Sequence, residues 1–400
     1  MSEARARISA LHRRSLLRPR EPAFWLFVFF VGYGALRIWE TVSSLSAPSR
    51  SGWTLSWLLL ALYAVPVAVL IYRLDLYERE PLSLAIGAFL WGAFAATALS
   101  LDASGWDQVV ARVFGADFAA RWGPAITAPV VEETLKGAGV VLLYLIARDE
   151  MDDVMDGFVY GALCGLGFAV VEDVLYFMAA FGGTPTGVLQ GFYVRVLSSG
   201  LYGHVLYTGL VGMGIGYFVS RRREVALRRR LAVVAACATL AVGAHALWNS
   251  PLLDLTPASP ITGWAWVAVP FALAIRGLPL LLLVALAIRL AHERERRWLD
   301  AALLKETGGE AITTEELDVL LEPRRRREAV AEMRSRAGRT AADLLARLQR
   351  EQVNLAMLIS KVSRPDDPAL DVQRAYCRSL RDALSAMPGA ARAGPGGSPG

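Results

Sequence analysis

Lysine is scarce in this chain of 400 residues, accounting for three of its 42 basic positions; the rest are arginine. One of the three, Lys136, lies in an apolar run beside two acids, in the segment Glu132-Glu-Thr-Leu-Lys136. On a helix Lys136 reaches Glu132 at i, i+4 and Glu133 at i, i+3, so one face carries an ammonium and two carboxylates. The ammonium can neutralise one carboxylate. The other is then left to take and return a proton, the work of a general base. Three later apolar segments hold Glu172, His204 and His245. His204 shares a face with Thr208 and His245 with Asn249, each pair again at i, i+4. Acids, imidazoles and an amide of this kind can activate a water, stabilise an oxyanion or bind a metal.

These groups lie where they are costly. Each ionised side chain at the centre of a membrane helix costs about 2.5–3.5 kcal/mol. Such residues are kept where they face protein or water, and they mark a working site.

The elements that must position them are membrane-length. A hydrophobic fraction of 54% and a mean hydropathy of +0.39 fit a polytopic membrane protein. Eight stretches approach the roughly 20 residues a span needs: Phe24–Trp39, Trp53–Tyr72, Leu82–Leu101, Pro124–Ala147, Gly157–Phe181, Tyr193–Ser220, Leu231–Asn249 and Trp264–Ala291. The first is interrupted by Arg37, which must snorkel. Basic residues precede the first span (Arg5 to Arg20), join the sixth and seventh (Arg221 to Arg230) and follow the eighth (His292 to Arg297). Eight spans put all of them on one side, which the positive-inside rule makes cytoplasmic, together with both termini. A signal peptide cleaved near Ala47 is the rival reading of the N-terminus. The arginines therefore read as topology and give no sign of a nucleic-acid surface. Membrane lipids are the expected surroundings.

Trp106, Val109, Val110, Val113, Phe114 and Phe118 repeat at helical spacing between the third and fourth spans, as in a helix lying on the outer surface, with a re-entrant element as the alternative. Cys164, Cys237 and Cys377 show no metal spacing. The expected organisation is all-α: a basic cytoplasmic segment (1–23), a transmembrane domain (24–291), a cytoplasmic helical region (292–387) and a disordered Pro/Gly/Ala-rich tail (388–400). Gly157, Gly161 and Gly165 fall on one side of the fifth span and permit close helix approach. At about 1.5 Å of rise per residue, Glu132, Glu172 and His204 lie roughly 12–17 Å below the outer ends of their spans, and His245 about 6 Å. Four helices can thus present their polar groups to one cavity.

In this order the motifs resemble the PrsW family of intramembrane proteases, related to the CAAX-protease and bacteriocin-processing superfamily. The resemblance runs over roughly residues 60–250. It is carried by Tyr77-Glu-Arg-Glu-Pro81, Glu132-Glu-Thr-Leu-Lys136, Asp156-Gly-Phe-Val-Tyr-Gly161, Gly165-Leu-Gly-Phe-Ala-Val-Val-Glu172, His204 and His245-Ala-Leu-Trp-Asn249. The family commonly has Glu-Asn where this chain has Glu172-Asp173.

The resemblance implies cleavage of a membrane-bound protein, such as an anti-sigma factor or another single-span protein, in a bacterial cytoplasmic membrane. Two mechanisms are compatible with it. In one, Glu132 activates a water with help from Glu133 or Glu172, while a histidine and Asn249 stabilise the oxyanion. In the other, Glu172, His204 and His245 bind zinc and another glutamate is the base. A proton-coupled transporter would also keep such residues at mid-membrane, but the Glu-Glu-x-x-Lys segment has no second copy. A non-catalytic scaffold with a partner-binding tail is the third class.

Overall fold

The computed structural model describes residues 15–45, 49–77, 80–198, 202–252, 271, 274–307, 311–361 and 367–390. The basic residues before position 15, Glu78 and Arg79, the start of the expected eighth span and the end of the tail lie outside them. Among the described residues the chain is helical, with a single isolated bridge between Thr307 and Ile312 and no named strand.

Helix α1 (Pro22–Ser44) is followed by α2 (Arg50–Leu74), α3 (Leu82–Leu90), a π-helical turn (Trp91–Ala96) and α4 (Thr97–Asp102). Next come α5 (Trp106–Phe114), α6 (Ala116–Ile146), α7 (Val154–Ala179) and α8 (Pro185–Phe192), the last prolonged by a second π-helical turn (Tyr193–Leu197). The remainder are α9 (Gly203–Ser220), α10 (Leu227–Asn249), α11 (Leu278–Leu304), α12 (Thr314–Leu320), α13 (Pro323–Lys361) and α14 (Pro368–Ser385). Local chemistry sets several starts. Ser49 caps α2 through the Gly52 amide, and Asp153 and Asp156 form a reciprocal capping box on α7. Thr184 caps α8 just before Pro185, whose fixed φ suits a first helical position.

Among the described residues five helical stretches are long and apolar enough to cross a membrane: Pro22–Ser44, Arg50–Leu74, Leu82–Phe114, Val154–Ala179 and Leu227–Asn249. The expected eight differ for identifiable reasons. Helix α6 contains the fourth expected span, but its two glutamates and lysine lower its apolarity. The sixth, Tyr193–Ser220, is not one helix: the π-helical turn ends at Leu197 and α9 begins at Gly203, after Tyr202 with non-helical dihedrals. The eighth begins outside the described residues, and α11 continues past Ala291 to Leu304. Arg37 forms an ion pair with Asp102 at 3.0 Å and with Glu40 at 3.1 Å. Helix α5 exposes Trp106, Val109, Val113 and Phe114 and buries Val110. Gly115, at φ +92°, turns the chain from α5 into α6.

The chain divides into two compact units, one from Arg14–Asp75 and Arg79–Arg289, the other chiefly from Leu290 onward. In the first, α7 is buried along most of its length and packs on α9. A Cβ on Gly161 would lie 2.3 Å from the Thr208 carbonyl oxygen, and one on Gly165 2.1 Å from that of His204. Only glycine allows this approach. Helix α10 is largely exposed, and its buried residues are Ala241 and His245.

The second unit has its own apolar core, including Leu299, Leu303, Ile312, Leu320, Leu348, Leu355, Leu370 and Leu380. Arg374 grips both oxygens of Glu306 at 2.9 and 2.7 Å. Gln352 donates to Glu316 at 2.9 Å and to the Ala311 carbonyl at 3.1 Å.

Candidate active site

Helix α6 supplies the acidic face. Glu132, Glu133 and Lys136 are all buried, Lys136 completely. The Lys136 ammonium lies 2.6 Å from Glu133 Oε1, 3.4 Å from Glu132 Oε2 and 2.9 Å from His204 Nδ1, and 4.1 Å from the centre of the Phe168 ring. The backbone beneath it is braced: Trp91 Nε1 donates to the Leu135 carbonyl at 2.9 Å.

Helix α9 brings His204 and Thr208 to the same place, one turn apart. The Thr208 hydroxyl donates to Glu133 Oε2 at 2.8 Å, so both oxygens of Glu133 are engaged. His204 Nε2 lies 3.1 Å from Glu172 Oε2, and its Nδ1 is 3.9 Å from Glu132 Oε2 and from Glu133 Oε1. Helix α10 adds His245, with Nδ1 3.2 Å from Glu133 Oε1 and Nε2 3.9 Å from Glu132 Oε2. The Tyr207 ring stacks on His245 at 4.9 Å with planes 13° apart, and the two histidines meet edge to face at 4.9 Å. Lysine is only a donor and an ionised carboxylate only an acceptor, so His204, beside Lys136 and Glu172, and His245, beside Glu133, each have a partner of definite character.

Five of the six residues singled out in the sequence therefore meet in one polar centre. Asn249 is the exception: its amide donates to the Pro124 carbonyl at 3.2 Å, which ties the end of α10 to α6. The zinc ligand set expected from the sequence also changes. Glu132, Glu133, His204 and His245 offer ligand atoms all within 4.8 Å of one another, and Glu172 is not in that group. Its carboxylate is committed to the outer nitrogen of His204 and to Arg195. Two imidazoles and two carboxylates are a donor set that suits zinc, and they lie close enough to share one ion.

Arg195 escaped the sequence reading, although a lone arginine inside an expected span was a visible signal. From the π-helical turn after α8 its Nη2 donates to Glu172 Oε2 and its Nε to Asp173 Oδ1, both at 2.5 Å. Its guanidinium stacks 3.7 Å from the Tyr176 ring centre. Asp173, left without a role in the sequence, is thus an anchor for Arg195. A second buried acidic group, Asp75, Glu80 and Asp156, also lies within 4.8 Å, with Tyr160 donating its hydroxyl to Glu80.

Residues 80–275 match the family model described as the PrsW family of intramembrane metalloproteases. The chain is 30% identical over 155 residues to a protein named Protease PrsW from Geobacillus kaustophilus, a stretch that covers 38% of this chain and 63% of that relative. No solved structure matches.

Proposed function

Because residues 80–275 match the PrsW family model, we propose that this chain belongs to that family and is an intramembrane endopeptidase that hydrolyses a peptide bond in a membrane-bound protein. The observation that carries the proposal is the convergence of Glu132, Glu133, His204 and His245 from three helices on one buried centre. The fit of those four residues favours the metal-dependent version, with zinc as the ion. When bound there, zinc would supply a Lewis acid and lower the pKa of a water.

The chain's own residues divide the remaining work. Glu133, gripped by Thr208 and Lys136, is held too firmly to shuttle a proton and serves with His204 and His245 as the ligand set. Among the described residues Glu132 has one polar contact inside 3.5 Å, to Lys136, and it is the proposed general base. Lys136 offsets the negative charge that two adjacent carboxylates would otherwise place in an apolar surround. Asn249, with its donor on Pro124, braces α10 so that His245 stays on Glu133. The glutamate-type mechanism remains the second reading, since Glu132 is placed to activate a water in either.

The proposed substrate is a single-span protein, an anti-sigma factor being one such class, cut in the outer part of a bacterial cytoplasmic membrane. The arginine distribution supports cytoplasmic termini.

The test is the zinc content of purified wild type beside a His204→Ala/His245→Ala variant, with cleavage of a transmembrane-peptide library before and after chelation. Stoichiometric zinc lost in the variant, together with chelation-sensitive cleavage, supports the metal-dependent reading. Cleavage that persists without metal transfers catalysis to Glu132 and its neighbours. Wild-type cleavage unaffected by Glu132→Ala would end both.

A further inference from the structure

Neutral histidine has one nitrogen that donates and one that accepts, and its neighbours decide which is which. At His204 they decide it completely. Lys136 can only donate, and it lies 2.9 Å from Nδ1. The Glu172 carboxylate accepts, and it lies 3.1 Å from Nε2. The proton therefore belongs on Nε2, and the Nδ1 lone pair faces the Lys136 ammonium, with Glu132 and Glu133 each 3.9 Å from that nitrogen. This orientation is only as firm as the position of Glu172.

Arg195 holds that position. Its guanidinium reaches Glu172 through Nη2 and the adjacent Asp173 through Nε, each at 2.5 Å, and its Cζ lies over the ring of Tyr176, 3.7 Å from the centre, one turn further along the same helix. All three contacts come from one face of α7, so the arginine is located by a fork and a stack together. Lysine has neither the fork nor the plane to reproduce them. The π-helical turn Tyr193–Leu197 presents it, a local irregularity of the kind often found at functional sites. Histidine ligands commonly rely on an outer carboxylate of this sort.

We propose that Arg195 is a positioning residue that, gripping Glu172 and Asp173, fixes the tautomer and orientation of His204 for catalysis. The proposal rests on the protease reading for its catalytic consequence, while the effect on the imidazole stands apart from it.

The experiment compares wild type with Arg195→Met, Arg195→Lys and Asp173→Asn. Each protein is labelled with 15N-histidine for NMR in detergent, and His204→Gln assigns the His204 signals. Cleavage of the transmembrane-peptide library, zinc affinity and melting temperature are measured on the same preparations. Wild type is expected to show one neutral His204 tautomer protonated at Nε2. Arg195→Met is expected to mix both tautomers and to lose about 10- to 100-fold in kcat and in zinc affinity, with KM little changed. Arg195→Lys, which keeps the charge and protects the fold, should fall between the two, and Asp173→Asn should lose only a few-fold because its amide oxygen still accepts from Nε. An unchanged His204 tautomer in a folded Arg195→Met protein overturns the proposal, and so does an undiminished kcat. If wild type cleaves nothing, the protease reading fails, and the tautomer comparison alone still decides whether Arg195 orients His204.

Discussion

Replacing Lys136 with methionine keeps most of the aliphatic stem and removes the ammonium from between Glu132, Glu133 and His204. The lysine is fully buried and its shortest contact is the 2.6 Å pair with Glu133. Breaking a buried ion pair by removing one partner costs about 3–5 kcal/mol, because the other charge is left without compensation. The lost contact with the Phe168 ring adds on the order of 0.5–2 kcal/mol at a dehydrated site. Metal-free Lys136→Met protein should therefore be less stable than wild type by about 3.5–7 kcal/mol. Most of that loss should return when Glu133→Gln is added, since the stranded charge is then gone. The assay is reversible unfolding in bicelles, with all four members of the double-mutant cycle under identical lipid and chelator. A loss below about 1 kcal/mol would refute the reasoning, for that is the range of an exposed pair. So would a double variant no more stable than Lys136→Met alone.

The other expectations are simpler. Gly165→Ala places a methyl 2.1 Å from the His204 carbonyl oxygen, so it should lower both melting temperature and cleavage rate, whereas Gly243→Ala, with open space around it, should leave both nearly unchanged or raise stability slightly. Thr208→Val removes a 2.8 Å hydrogen bond from Glu133 and should cost about 1.5–3 kcal/mol, the range for bonds to charged groups, measured by the same unfolding assay. Burial pushes the Cys377 thiol up to about 12, so its alkylation by a maleimide at pH 7 should be slow in folded protein and fast after denaturation, as read by mass spectrometry.

The apolar runs were legible because hydropathy is a sum over many residues, and most errors in a boundary average out. Glu132, Glu133, Lys136, His204 and His245 stood out for the opposite reason, each being costly in an apolar segment. What the chain did not reveal depended on geometry without a periodic signature. Neither π-helical turn, Trp91–Ala96 or Tyr193–Leu197, follows from residue preference. Arg195 was visible as a charge, but its partnership with Glu172 and Asp173 required knowing that α8 doubles back along α7. The exchange of Glu172 for Glu132 and Glu133 in the group close enough to share an ion has the same origin: equal depth along separate helices does not say which carboxylate faces which ring.

The polar centre also has a consequence for how the protein is made. Helix α6 reaches the membrane with two carboxylates and an ammonium, while Thr208 and His245 are synthesised 75 and 112 residues after Glu133. At about 2.5–3.5 kcal/mol per ionised residue, α6 is a poor candidate for release alone into lipid. It must wait beside the insertion machinery, or against α1 to α5, until α9 and α10 arrive to close around it. Biogenesis is thus committed late. Chains that stop before α10 lack His245 and leave the cluster facing lipid or water.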